Sequence, residues 1–234
     1  MRFRYMCCAV RGGIIRNLCL LGWMSVMTIT TPSHAQSNTL HAAAAQGDVT
    51  ALRQALAQGA AINAQDDSGA TPLLIATQRN HIQVAQVLIE AGADVNIQDR
   101  LRNSPYLYAG ARGLNEILRM TLAHGADLTS TNRYGGTALI PAAERGYVQT
   151  VRLLIAAGVD VNHINNLHWT ALLEAIILGS GGPAHIQIVR DLIDAGADVH
   201  IADGEGVTPL QHARRRGYQE MESILLHAVQ SGQR

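Results

Sequence analysis

The sequence predicts an all-α solenoid, in which pairs of short helices stack side by side and are joined by hairpin-like turns. Three observations carry this expectation. Gly59-Ala60, Gly92-Ala93, Gly125-Ala126 and Gly158-Val159 recur every 33 residues. Thr71-Pro72-Leu73, Ser104-Pro105-Tyr106, Thr137-Ala138-Leu139 and Thr170-Ala171-Leu172 recur at the same period. The apolar residues are mostly small, with a single Phe in 234 residues. A chain of this kind packs thin repeated units closely instead of building a core around large rings.

The first segment differs from the rest. Arg2, Arg4, Arg11 and Arg16 precede a mainly apolar, uncharged run from Asn17 to Thr30, and Ser33-His34-Ala35 offers small residues to a signal peptidase. The order is that of a secretory signal peptide over residues 1–35, removed from the mature chain. The run is shorter than the roughly 20 residues that span a bilayer, so no stable membrane insertion is expected after cleavage. Cleavage takes four of the 18 basic residues and no acid, leaving 14 against 18, a formal charge of −4. It also takes Cys7, Cys8 and Cys19, the only cysteines. A thiol-free chain excludes cysteine catalysis, disulfide scaffolding and zinc–thiolate sites, and suits an oxidising compartment. The acidic balance argues against nucleic-acid partners.

One unit shows why the repeat folds. Asp66-Asp67-Ser68-Gly69-Ala70 is turn chemistry. Thr71 caps a helix and Pro72 takes its first position, where no N–H is needed. Leu73, Ile75 and Ala76 face inward. Asn80 ends that helix, since Asn tolerates a left-handed backbone. His81 to Glu90 forms the second helix, with Val84, Val87, Leu88 and Ile89 apolar, and Gly92 ends it.

With T-P-L-x-x-A, V-x-x-L-L and G-A-D-V-N recurring in register, the chain resembles the ankyrin-repeat family, and within it small exported (periplasmic) bacterial members. The divisions expected are an N-terminal cap at 38–65, internal units at 66–98, 99–131, 132–164 and 165–202, and a C-terminal cap at 203–228, all within a repeat domain of 36–234. The next markers after Gly158 and Thr170 come 38 residues on, at Gly196 and Thr208, so the fourth internal unit carries five extra residues. They fall in the Gly-rich stretch 178–185, expected to form a flexible lip beside the groove. The His that usually follows T-P-L in the family is kept only at His41, in the N-terminal cap, and is Leu74, Leu107, Ile140, Leu173 and Gln211 in the other units. The resemblance therefore implies loss of that inter-repeat hydrogen-bond network, with apolar stacking as the main cohesion.

The resemblance also implies a curved stack that binds a protein in its concave groove and turn tips. Arg79, Arg112 and Arg145 lie 33 residues apart and predict a row of guanidinium groups facing carboxylates. An ordinary alternative is cations near helix C-termini. Glu144 lies beside that row. The tips carry Arg100, Leu101, Arg133, Tyr134, Leu167, His168 and Trp169, and exposed aromatic and Arg side chains are typical interface anchors. Glu174 stands in the column of Ile75, Tyr108, Pro141 and His212. A carboxylate on such an inner face needs a partner or stays protonated, and His212, Tyr108 or a nearby tip is the expected partner. The interface expected is thus Arg79, Arg100, Arg112, Arg133, Tyr134, Glu144, Arg145, His168, Trp169 and Glu174.

No catalytic motif, metal-ligand spacing or phosphate-loop lysine accompanies these residues, so no enzyme activity, cofactor or metal is expected. The function expected is that of a non-catalytic, monomeric binding module in the periplasm. The resemblance implies an accessory role to a stress-defence enzyme such as a catalase. The alternatives are an immunity-type inhibitor of a periplasmic toxin, or a small-ligand or metal binder.

Overall fold

A computed structural model describes residues 34–232, which belong to one compact unit, Pro32–Arg234. The expected signal peptide lies outside the described residues apart from its last two. Among the described residues there are twelve helices and no strand. They form six pairs: α1 (His34–Gln46) with α2 (Val49–Ala57), α3 (Pro72–Gln78) with α4 (Ile82–Glu90), α5 (Pro105–Arg112) with α6 (Asn115–Ala123), α7 (Leu139–Glu144) with α8 (Val148–Ala157), α9 (Ala171–Ile177) with α10 (Pro183–Asp194), and α11 (Pro209–Arg216) with α12 (Gln219–Ser231). The first helices pack in one row, α1 on α3 and so on to α11, and the second helices pack in another, α2 to α12. Leu73, Tyr106, Leu139 and Leu172 hold one column of a continuous core and are at most 1% exposed.

Each turn tip is built by one Asp or Asn. Its Oδ1 accepts the N–H groups two and four residues on: Asp66 from Ser68 and Ala70, Asp99 from Leu101 and Asn103, Asn132 from Tyr134 and Gly136, Asn165 from Leu167 and Trp169, Asp203 from Glu205 and Val207. Such a bond closes a turn without help from the core. The residue three on from that Asp or Asn is left-handed, and two tips put a side chain there, at Arg102 (φ 60°) and His168 (φ 61°). Asn80 is left-handed as expected (φ 54°).

The hydroxyls of Thr71, Ser104, Thr170 and Thr208 each cap the helix that follows, accepting the N–H three residues on. Thr137 departs from the series. Pro141 stands where its siblings supply an N–H to the cap residue's carbonyl, so the Ile140 N–H turns to the Thr137 carbonyl instead, at 3.3 Å. The Thr137 Oγ1 is left buried without a partner, and α7 starts one residue late.

Polar links join neighbouring units beside the apolar stacking. They come from other positions than the missing His. Gln65 donates to the carbonyls of Gly69 and Gln98, and Gln98 to those of Arg102 and Thr131. Asn63, Asn96 and Asn162 each accept an N–H from the unit that follows, at Asp94, Asp127 and Asp198. From the N-terminal cap, His41, which keeps the family's His position, donates to the Ala70 carbonyl of the next unit.

The insertion also differs from the free lip expected. Two of its five residues lengthen the helix link, which runs 178–182 where α3 and α4 are joined by 79–81, and three lengthen α10, with 12 residues against 9 in α4. The link is held from both sides. Tyr218 Oη donates to the Gly179 carbonyl at 3.0 Å, and Ser180 Oγ donates at 3.2 Å to Nδ1 of His185, whose Nε2 donates to the Glu144 carbonyl at 2.9 Å. A Cβ at Gly181 would meet the Tyr218 ring at 2.5 Å, so only glycine lets the link lie this close.

Candidate functional site

A cleft of about 390 Å³ opens where the turn tips meet the first helices of three successive units. The tips contribute Asn132, Arg133, Tyr134, Gly136, Asn165 and Leu167. The helices contribute Ala111 near the end of α5, Ile140, Pro141 and Glu144 on α7, Glu174 on α9, and their following residues Arg145 and Leu178. The space has a sequence cause. Pro141 is short in a column otherwise filled by Ile75, Tyr108, Glu174 and His212, and Gly136 has no side chain where the next tip has Trp169. Tyr134, Leu167 and Leu178 stand at the cleft more than half exposed.

Glu174 is the buried acid of the cleft, 5% exposed, beside the equally buried Asn165. Asn165 Nδ2 donates to its Oε1 at 3.0 Å. The partner is therefore the tip of its own unit, and neither His212 nor Tyr108. His212 Nε2 is bound to Asp203 Oδ2 at 2.7 Å instead, and Arg112 lies over the Tyr108 ring at 5.5 Å. Burial pushes the Glu174 carboxyl up to about 7, the negative charge of Glu144 adds to the rise, and the Asn165 bond opposes it.

The arginines at the cleft are engaged with groups other than its acids. Arg133 stacks on the Tyr134 ring at 4.8 Å and donates to its hydroxyl. Arg145 Nη1 donates to the Ala111 carbonyl of the preceding unit. The ion pairs among the described residues, Arg152–Asp191, Arg190–Glu220, Arg214–Glu222 and His212–Asp203, all lie outside the cleft.

The cleft thus brings together Arg133, Tyr134, Glu144, Arg145 and Glu174 of the expected interface. Arg79 and Arg112 are exposed at the ends of α3 and α5, and Arg100 is exposed on an earlier tip. His168 is exposed with its ring against Gly204, and Trp169 is half-buried; neither lines the cleft. Sequence reasoning missed Asn165, although its place nine residues before Glu174, as Asp203 precedes His212, signals the pair.

The His residues near this region are occupied by structure: His163 Nε2 donates to the Gly135 carbonyl, and His185 joins Ser180 and the Glu144 carbonyl. Among the described residues no group of three His, Cys, Asp or Glu is placed to hold a metal, and no helix is long and apolar enough to cross a membrane. A hollow of about 420 Å³ between α10 and α12 is lined by Arg190 and Glu220, paired at 2.9 Å, and by Asp194.

The family described as ankyrin repeats (3 copies) matches residues 6–99 and 106–203. An ankyrin repeat domain from Acinetobacter baumannii AYE is 63% identical with a TM-score of 0.80, over 81% of this chain and 96% of that one. The ankyrin repeat protein EF0377 is 42% identical with a TM-score of 0.78, over 81% of this chain and 97% of that one. A 56-residue stretch, 24% of this chain, is 45% identical to the protein YahD of Escherichia coli (strain K12), and spans 28% of that protein's length.

Proposed function

The chain belongs to the ankyrin-repeat family, and from that premise we propose that it is an exported binding module whose protein partner docks in the cleft of the third and fourth internal units. Members of the family are generally non-enzymatic protein-interaction modules. The observation that carries the reading is the cleft itself, with Tyr134, Leu167 and Leu178 exposed around a single buried acid. Such a patch combines apolar and aromatic anchors with one polar group that fixes register. Export is supported by the basic, apolar and small-residue order of residues 1–35.

The partner class we propose is a periplasmic stress-defence enzyme such as a catalase, carried over from the resemblance. The test is affinity capture of the full-length, C-terminally tagged chain from a Gram-negative periplasm, beside a Tyr134→Ala/Leu167→Ala variant. A specific partner kept by wild type and lost by the variant supports the reading, and its identity decides between a stress enzyme and a toxin. Equal capture by both contradicts the docking face. Recovery of the tagged chain in the cytoplasm at full mass contradicts export.

A further inference from the structure

We propose that the cleft is a socket for a basic side chain, an arginine or lysine of the bound partner, held by the Glu174 carboxylate with Glu144 as a second acid. The proposal rests on the docking reading and names the chemistry of what enters the cleft.

Two units place an acid against a hydrogen-bond donor at the same pair of positions. In the last unit the acid is on the tip and the donor on the helix, Asp203 with His212 at 2.7 Å. Here the positions are exchanged in kind: the tip carries the neutral Asn165 and the helix carries Glu174, at 3.0 Å. The imidazole at His212 can carry the positive charge that balances Asp203. The Asn165 amide cannot, and its Oδ1 is already taken by the N–H groups of Leu167 and Trp169. One neutral donor leaves a buried carboxylate short of compensation.

Nothing else in the cleft makes up the deficit. The Arg133 guanidinium is turned to Tyr134, and that of Arg145 to the Ala111 carbonyl. The short residues Pro141 and Gly136 leave room above the acid. A guanidinium or ammonium group entering there meets Glu174 and Glu144, while its methylene stem lies along Tyr134 and Leu178, as long cationic side chains do on apolar surface.

The test is a titration of the ¹⁵N-labelled purified chain with N-acetyl-arginine amide, N-acetyl-lysine amide and uncharged N-acetyl-norleucine amide, followed by amide shifts at Tyr134, Leu167 and Leu178. The expected result is a saturable response to a basic probe, at least fivefold weaker with the norleucine probe and at least fivefold weaker in Glu174→Gln. Gln keeps an acceptor for Asn165, and a melting curve verifies the fold. Glu144→Gln, at a half-buried position, is the second variant and is expected to weaken binding about twofold. An equal response to norleucine, undiminished binding by Glu174→Gln, or no saturable response overturns the socket. Partner capture separates this from failure of the docking reading. A partner lost by Tyr134→Ala but kept by Glu174→Gln removes the socket alone, and one kept by both removes the docking face as well.

Discussion

Asn165 and Glu174 face each other as Asp203 and His212 do one unit further on, and the difference in their charge has measurable consequences. The Glu174 carboxyl is raised from an ordinary 4.5 to about 7. Between those values the folded chain holds a proton that the unfolded chain has released, so this group makes stability fall as pH rises from about 4.5 to 7 and then level off. The loss is on the order of 1–3 kcal/mol, below the full ~1.4 kcal/mol per pKa unit because the cleft admits water. Glu174→Gln is expected to remove that decline and to be more stable than wild type above pH 7, read by urea unfolding at pH 5 and pH 8. Parallel curves for the two proteins would contradict the burial argument. Asn165→Asp keeps the tip, since Asp builds it at positions 66, 99 and 203. It sets two carboxyls at hydrogen-bond distance, which cannot both ionise. It should cost roughly 2 kcal/mol at pH 8 and less at pH 5. Adding Glu174→His recreates the Asp203–His212 arrangement and should restore most of the loss. A double variant no better than the single one would show that the pair does not act through charge. The oddity of Glu174 was legible in the sequence, because a carboxylate stood in a mostly apolar column. Its partner was legible only as one of several neighbours, His212, Tyr108 or a nearby tip, because spacing does not say which of them reaches the carboxyl.

At the scale of the element, the same motif does different work in one unit. Thr71, Ser104, Thr170 and Thr208 cap their helices, while the Thr137 hydroxyl is buried without a partner. Thr170→Val should therefore cost about 1 kcal/mol, the typical value of a lost cap. Thr137→Val should be neutral or stabilising, because it removes a buried group that bonds nothing. Equal losses from the two substitutions, measured as the shift in urea midpoint, would contradict the account. The sequence showed the recurring hydroxyl but hid the exception, which lies four residues on at Pro141. The insertion follows a similar logic. Its Gly-rich composition pointed to a loose segment, and only the stack shows Tyr218 and His185 holding it from either side. Tyr218→Phe should speed hydrogen exchange at residues 178–182 while lowering global stability by no more than about 1 kcal/mol. Unchanged exchange there would show that the bond does not hold the link.

At the scale of the molecule, the 33-residue period made the helix pairs and their order readable, because each unit needs its neighbours to bury Leu73, Tyr106, Leu139 and Leu172. The cleft was less readable, since its walls come from three units and its volume from what Pro141 and Gly136 lack. The row of Arg79, Arg112 and Arg145 shows the limit of spacing alone: only Arg145 reaches the cleft, and it is turned to a backbone carbonyl. A docking face assembled in this way has one direct test. The affinity of the captured partner is measured for wild type, for Tyr134→Ala at the cleft, and for Arg190→Ala/Glu220→Ala on the opposite row of helices. The account predicts a loss of about 2 kcal/mol or more, roughly 30-fold, for the cleft variant and an affinity within twofold of wild type for the outer variant. Binding that survives at the cleft variant and falls at the outer one would contradict it.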